Sequence, residues 1–375
     1  MTHQDTEPAA SRDSKKSAAG VPAWSLIAPA TCWLLLVGIL FGAPGPIYAS
    51  VLGIALIAGV LSAVHHAEVV AHRVGEPFGT LVLALAVTMI EVALIVMLML
   101  SGGPAATALA RDTVFATIMI ILNGLVGLCL LIGGRHFGEQ SFGLHGVSAS
   151  LATLAAIAAL TLVLPNYTTT VTGPFYSASQ LGFVATVSLI LYGTFIFVQT
   201  VRHRDYFLPV EAAGDQDAHA PPPGNRVASI SAAALLVSLG AVIAIAESIA
   251  PAVEAAVHAA RAPKALVGII ISGIVLMPEG YAAVRAARRN RLQTSLNLTL
   301  GSALASIGFT IPAVAIFSLL TRQTLTLGLD IKETVLLVLS LLVSTLSLNT
   351  GRTTVLQGAV HLVIFAVYLF TVIVP

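Results

Sequence analysis

The sequence predicts an all-α integral membrane protein of about eleven transmembrane helices, one N-terminal helix followed by two inverted five-helix repeats. Three observations predict it. Hydrophobic residues make up 57% of the 375-residue chain and charged residues only 9%, against roughly 25% charged in a soluble domain. Apolar runs of about 20 residues, enough to cross a bilayer as a helix, recur along the whole chain. One long polar stretch divides them, and on each side of it an acid stands in a membrane-length run: Glu91 in GEPFGTLVLALAVTMIEVALIVMLML and Glu279 in ALVGIIISGIVLMPEGYAAVRAARR.

Residues 1–23 are polar and low in complexity, which predicts a disordered cytosolic tail without a cleavable signal. Eleven spans follow. The first, Trp24–Phe41, stands alone. The next five are Ile47–Val70, Gly79–Leu100, Thr113–Ile132, Leu144–Leu164 and Leu181–Val201, within residues 47–201. Residues 202–226 (RHRDYFLPVEAAGDQDAHAPPPGNR) are the polar interruption, which Pro221, Pro222 and Pro223 stiffen into a linker. The last five, within residues 227–375, are Val227–Ile249, Leu266–Ala286, Ser295–Leu320, Thr334–Leu348 and Val355–Val374. Two groups with an odd number of helices, joined in series, face opposite ways across the membrane, which is the arithmetic of an inverted repeat.

Basic residues orient the chain. With a cytoplasmic N-terminus, 13 of the 18 Lys and Arg fall inside (Arg12, Lys15, Lys16, Arg73, Arg135, Arg202, Arg204, Arg226, Arg285, Arg288, Arg289, Arg291 and Arg352). Arg111, Arg261, Lys264, Arg322 and Lys332 fall outside. Cytoplasmic loops carry the positive excess, so the N-terminus is expected in the cytoplasm and the C-terminus outside. The formal net charge of +1 gives no polybasic face for nucleic acid. Cys32 and Cys129 both lie in apolar runs and read as packing residues.

A carboxylate in hydrocarbon is expensive and is by default a functional-site hypothesis. Placing Glu91 over Glu279, 188 residues apart, brings TLVLALAVTMIEVALIV over LVGIIISGIVLMPEGYAAV. Each copy is preceded by a helix with a late acid, Glu68 in VHHAEVVAH and Glu247 in AIAESIAP. Each is followed by a helix with small and polar residues, ATIMIILNGLVGLCLLIGG and NLTLGSALASIGFTIP.

At these residues the chain resembles the calcium/cation antiporter superfamily, and more narrowly the bacterial branch that exchanges calcium or sodium for protons. The resemblance covers Val51–Pro375. Its strongest element is VLMPEGYAAVRAARRNRLQTSLNLTLGSALASIGFTIP (Val275–Pro312), similar to a family repeat with an acid after a broken helix, a basic cytoplasmic turn and a GS-rich helix. Gly75–Glu91 resembles the other copy. The family's Gly-Asn-Ala before the acid is absent here: Val87-Thr88-Met89-Ile90-Glu91 and Leu276-Met277-Pro278-Glu279 stand instead. Thr88 would then replace the missing amide with a hydroxyl.

The chemistry fits these residue types. Calcium takes six to eight oxygens. Glu91 and Glu279 would be the metal-binding carboxylates, and Thr88, Asn123, Ser302 and Ser306 the polar partners. Pro278 frees the carbonyl near Ile274 and disfavours helix at Met277, so an unwound turn is expected beside Glu279. Irregular backbone at that depth is tolerated where it lines a cavity. The matching break at Glu91 is implied by the resemblance alone. Gly301 with Ser302 and Ser306 reads as a close helix approach.

Desolvation of an empty carboxylate pair favours its protonated form, so protons and metal compete for the same groups. That competition is antiport by alternating access, exchanging cytosolic Ca2+, with Na+ or K+ as further substrates. Sodium-coupled calcium exchange and a passive cation channel are the competing readings. No HExxH, GxSxG or acidic cluster stands near a span, so no enzyme is expected. Glu68, Glu247, His65 and His66 are expected on the access path, and His72 near the membrane surface. Asp205, Glu211, Asp215 and Asp217 read as a solvated loop, and Arg285–Arg291 as the topology anchor. No cofactor is expected beyond the transported ions. The bilayer is the expected partner and the bacterial inner membrane the expected location, with homo-oligomerisation left open.

Overall fold

The computed structural model describes residues 21–40, 42, 45–75, 78–102, 107–207, 223–259, 263 and 265–374. The predicted tail up to residue 20, and the linker's Glu211, Asp215, Asp217, Pro221 and Pro222, lie outside these. The helices are α1 (Ala23–Ile39), α2 (Pro46–Val74), α3 (Phe78–Gly102), α4 (Leu109–Met119), α5 (Val126–Phe137), α6 (Leu144–Ala158), α7 (Ala178–Phe197), α8 (Asn225–Ala259), α9 (Ala265–Val275), α10 (Met277–Arg288), α11 (Leu292–Thr321), α12 (Ile331–Leu348) and α13 (Val355–Ile373). Two three-residue strands, β1 (Glu139–Ser141) and β2 (Arg352–Thr354), pair antiparallel with Gln140 opposite Thr353. Among the described residues the fold is all-α apart from these and an isolated bridge between Phe175 and Thr326.

Among the described residues, eight helical stretches are long and apolar enough to cross a membrane by themselves, and α9 with α10 makes a ninth span bent by 54°. α1 and the stretch Leu85–Met97 of α3 are shorter apolar helices. The predicted span Thr334–Leu348 is longer than the apolar run alone shows. Asp330 Oδ1 accepts a hydrogen bond from the Glu333 amide at 2.8 Å, and Glu333 Oε2 accepts one from the Asp330 amide at 3.3 Å. This capping box starts the helix at Ile331.

Local chemistry sets two further departures from the predicted spans and two agreements with them. α4 and α5 form one membrane-length rod because a π turn, Ile120–Leu125, joins them without a break. The linker is shorter than predicted: α8 already begins at Asn225, and Arg204–Phe207 form a 3-10 turn whose Phe207 ring packs edge-on against Phe195 at 5.9 Å. The break at Pro278 is present, with Leu276 between α9 and α10 and the proline in the first turn of α10. The counterpart break at Glu91 is absent. α3 runs continuously through it, since that stretch holds neither Gly nor Pro to interrupt the hydrogen-bond ladder.

Among the described residues, buried apolar side chains form two large clusters and a small one, Cys129 with Ala283 and Ala287. One large cluster joins α1, α2 and α8 with Val87, Ile90 and Leu94 of α3 and Val275 at the end of α9. The other holds α4–α7 and α11–α13, begins on α3 at Ile95 and includes Leu276. Lipid tails are as apolar as leucine, so helix association inside a membrane relies on close packing and hydrogen bonds. Both hold the first cluster. Cys32 Sγ donates to the Ala55 carbonyl at 3.3 Å, Ser62 Oγ to the Ser25 carbonyl at 2.7 Å, and Trp33 Nε1 to the Val237 carbonyl at 3.2 Å. Cys32 and Cys129 are buried free thiols, as predicted.

At one end of the bundle, Arg111 Nη1 donates to the Gly328 carbonyl at 3.0 Å and Leu329 N to the Leu162 carbonyl at 2.8 Å. At the other, Gln140 on β1 reaches Asn290 Oδ1 at 2.9 Å in the basic turn between α10 and α11. Asn290 holds that turn in the left-handed region, φ 57°, which Asn tolerates better than most residues.

Candidate cation-binding site

α3 presents Glu91 to the place where α4, α9 and α11 converge. The side chain is buried, at 7% exposure. Glu91 Oε1 accepts from Ser306 Oγ of α11 at 2.6 Å, a short charge-assisted contact. Thr117 Oγ1 of α4 lies 3.3 Å from the same oxygen and 3.2 Å from Ser272 Oγ of α9. One hydroxyl carries one proton, so Thr117 donates to Glu91 or to Ser272 but not to both at once. Ser272 Oγ in turn donates to the Thr113 carbonyl at 3.3 Å. A hydroxyl ladder from both sides of the linker therefore meets one carboxylate.

Glu279 enters from the break. It is the third residue of α10, where the helix dipole favours negative charge. Its Oε2 is buried with no hydrogen-bond donor among the described residues. Glu91 lies within electrostatic reach of it, and Glu68 more weakly so. Gly280 packs its α-carbon against Leu125 of the π turn, which seats the start of α10 against the α4–α5 rod. Each of the two carboxylates stands near the border between the two large apolar clusters, Glu91 close to Leu94 and Ile95 and Glu279 close to Val275 and Leu276.

The other predicted residues divide. Ser306 binds Glu91 directly. Thr88 is buried one turn before Glu91 on the same helix. Ser302 lies one turn before Ser306, half-buried. Among the described residues Gly301 is not a close helix contact: a methyl group there would meet nothing within 4 Å. The tight glycine on this helix is Gly308, whose added methyl would strike Tyr192 at 2.8 Å. Asn123 turns from the glutamates and donates to Ser340 Oγ of α12 at 2.8 Å. Glu68 and Glu247 are exposed on α2 and α8. His66 is buried and donates through Nε2 to the Ser25 carbonyl of α1 at 3.0 Å; His65 packs on Trp24, 5.2 Å between ring centres.

Thr117, Thr113 and Ser272 were not singled out in the sequence. The signal for the first two was present: Thr113 and Thr117 stand four apart, on one face of the helix. Ser272 carried no periodic signal.

Two carboxylates with a ring of hydroxyls form an all-oxygen donor set, suited to hard cations. Ser306→Ala removes the donor that orients Glu91 and is expected to weaken apparent cation affinity about 10–100-fold, as loss of such orienting partners does. The half-saturating cation concentration for flux checks this; an unchanged value would show that Ser306 only packs.

Residues 45–201 and 230–374 match the family described as sodium/calcium exchanger protein. An ionic transporter of Sinorhizobium fredii, y4hA, is 51% identical over 85% of this chain and 87% of its own. The sodium-potassium/proton antiporter ChaA of Escherichia coli is 38% identical over the same shares. Among solved structures, the H+/Ca2+ exchanger CAX superposes with a TM-score of 0.70 at 16% identity, covering 92% of this chain and 88% of that one, a likeness of fold. Spans, paired glutamates and these matches agree: the chain belongs to the sodium/calcium exchanger family, within the calcium/cation antiporter superfamily.

Proposed function

We propose that this chain is a secondary active transporter that exchanges cytosolic Ca2+, and also Na+ or K+, for protons at a single site that opens to each side of the membrane in turn. The observation that carries this reading is the Glu91–Glu279 pair: two buried carboxylates within electrostatic reach, one supplied with hydroxyl donors and the other with a buried oxygen that has no donor among the described residues. Two such charges in a poorly solvated interior must be neutralised. One Ca2+ does so, as do two protons, or one monovalent ion with one proton. Shared ligands make these loads mutually exclusive, which couples them without a further device. The predicted topology, with two inverted repeats, a cytoplasmic N-terminus and an external C-terminus, belongs to the same proposal. The Escherichia coli relative, named for sodium, potassium and protons, supports the monovalent arm; the double negative charge supports the calcium arm.

Purified protein in liposomes with a trapped pH-sensitive dye tests it. Addition of CaCl2, NaCl or KCl outside is expected to move protons, with a response to Ca2+ and to at least one monovalent ion. Proton movement with none of the three would refute the reading. Calcium uptake driven by a sodium gradient and indifferent to pH would replace it with sodium-coupled exchange.

A further inference from the structure

A second polar cluster lies across the π turn from Glu279. Asn123, Ser344 and His361 are each wholly buried. Asn123 Oδ1, Ser344 Oγ and both ring nitrogens of His361 have no hydrogen-bond partner among the described residues. The Leu122 carbonyl is near the ring but without hydrogen-bond geometry.

The helix register brings these groups into one layer. α12 runs parallel to the α4–α5 rod: their first residues meet where Arg111 bonds Gly328, and their middles where Asn123 bonds Ser340. One turn further along, Ser344 follows Ser340 and Gly127 follows Asn123. α13 runs antiparallel, with Val355 against Gly134, Gly358 against Leu131 and His361 against Gly127; a methyl at Gly127 would meet His361 Cβ at 2.8 Å. By this register Ser344 and His361 stand at the height of Gly127, with Asn123 a turn above. Ser344 also differs from its neighbours: Ser340 and Thr345 donate to carbonyls four residues back at 2.7 and 2.8 Å, whereas Ser344 does not.

Such a set is costly when dry, since each group loses its water and gains nothing. The unmet capacity is complementary to a small donor and acceptor. Asn123 Oδ1 and one imidazole nitrogen need a donor, Ser344 needs an acceptor, and the other imidazole nitrogen offers a proton. One or two water molecules meet all of these, within the two to four partners that a buried water takes. We propose that Asn123, Ser344 and His361 form a second polar site inside the bundle that binds ordered water, one helix away from the glutamates and separate from them. It follows from packing alone and does not depend on the exchanger reading. The titratable groups on packed elements are few: Cys129 faces α10 from the far side of α5, Tyr368 sits two turns along α13 against Phe115, and Glu279 lies beyond the π turn.

Hydroxyl-radical footprinting of the full chain in lipid nanodiscs tests this, because radicals made from bound water oxidise buried side chains beside it. His361 is expected to label several-fold faster than His66, which is equally buried but has one ring nitrogen bonded to the Ser25 carbonyl and only Nδ1 without a partner. In the Asn123→Leu/Ser344→Ala double variant, labelling at His361 is expected to fall to the His66 rate. Labelling of His361 no faster than His66 in the wild type would overturn the site. Fast labelling that persists in the double variant would show water reaching His361 by another route and would equally overturn it. Thermal melting of His361→Leu gives a second readout: a dry cluster gains stability when its orphaned polar groups are removed, so a higher melting temperature speaks against water and a lower one for it.

Discussion

Glu279→Gln is expected to abolish cation-driven proton movement, bringing the dye response down to that of protein-free vesicles, while the protein melts at the wild-type temperature or above it. The amide keeps the size and shape of the carboxyl group. It removes the negative charge and the exchangeable proton, the two properties on which competition between metal and proton rests. Stability should not suffer, because Glu279 Oε2 has no donor to lose and the change relieves repulsion from Glu91 and Glu68. Loss of flux with an intact fold would place the charge at the heart of coupling. Retained exchange would remove Glu279 from the site and with it the shared-ligand mechanism.

The second large effect concerns architecture. A methyl group at Gly358 would run into the Leu131 amide nitrogen and meet the Gly127 carbonyl oxygen at 2.8 Å. Both are backbone atoms of α5, so no side chain can swing aside. Overpacking of this kind costs at least about 1–3 kcal/mol and more when main chain must move. Gly358→Ala is therefore expected to lower the melting temperature by several degrees or prevent recovery of folded protein. Gly193→Ala on α7, where the added methyl meets nothing within 4 Å, is the control and should melt no lower than wild type. Equal melting of the two variants would show that α5 and α13 are not held together by this contact.

The sequence made the fold class legible because membrane spans announce themselves by length and hydropathy, independently of tertiary context. Glu91 and Glu279 were legible for the related reason that a charge in such a run is conspicuous. Pro278 showed the break beside Glu279, since a proline removes a ladder hydrogen bond wherever it stands. The break expected at Glu91 had no such residue behind it, and α3 is continuous there. Gly301 was misjudged because glycine marks close packing only when a neighbour approaches, and proximity is a tertiary property. The same holds for Asn123: its polarity was visible, but whether it faced α3 or α12 depended on the rotation of a rod containing a π turn. Thr117 and Ser272 escaped notice because single hydroxyls are common in membrane helices and become informative only once a carboxylate is found within reach.

The division of the apolar interior has a mechanical consequence. One cluster ends on α3 at Leu94 and on α9 at Val275; the other begins at Ile95 and at Leu276. The polypeptide crosses from one to the other beside each glutamate. If the proposed alternation of access moves part of the bundle, this boundary is where α1, α2 and α8 would shift as a unit. The energetic barrier to such a shift would then be set mostly by the charges on the boundary, so whatever neutralises them also lubricates it.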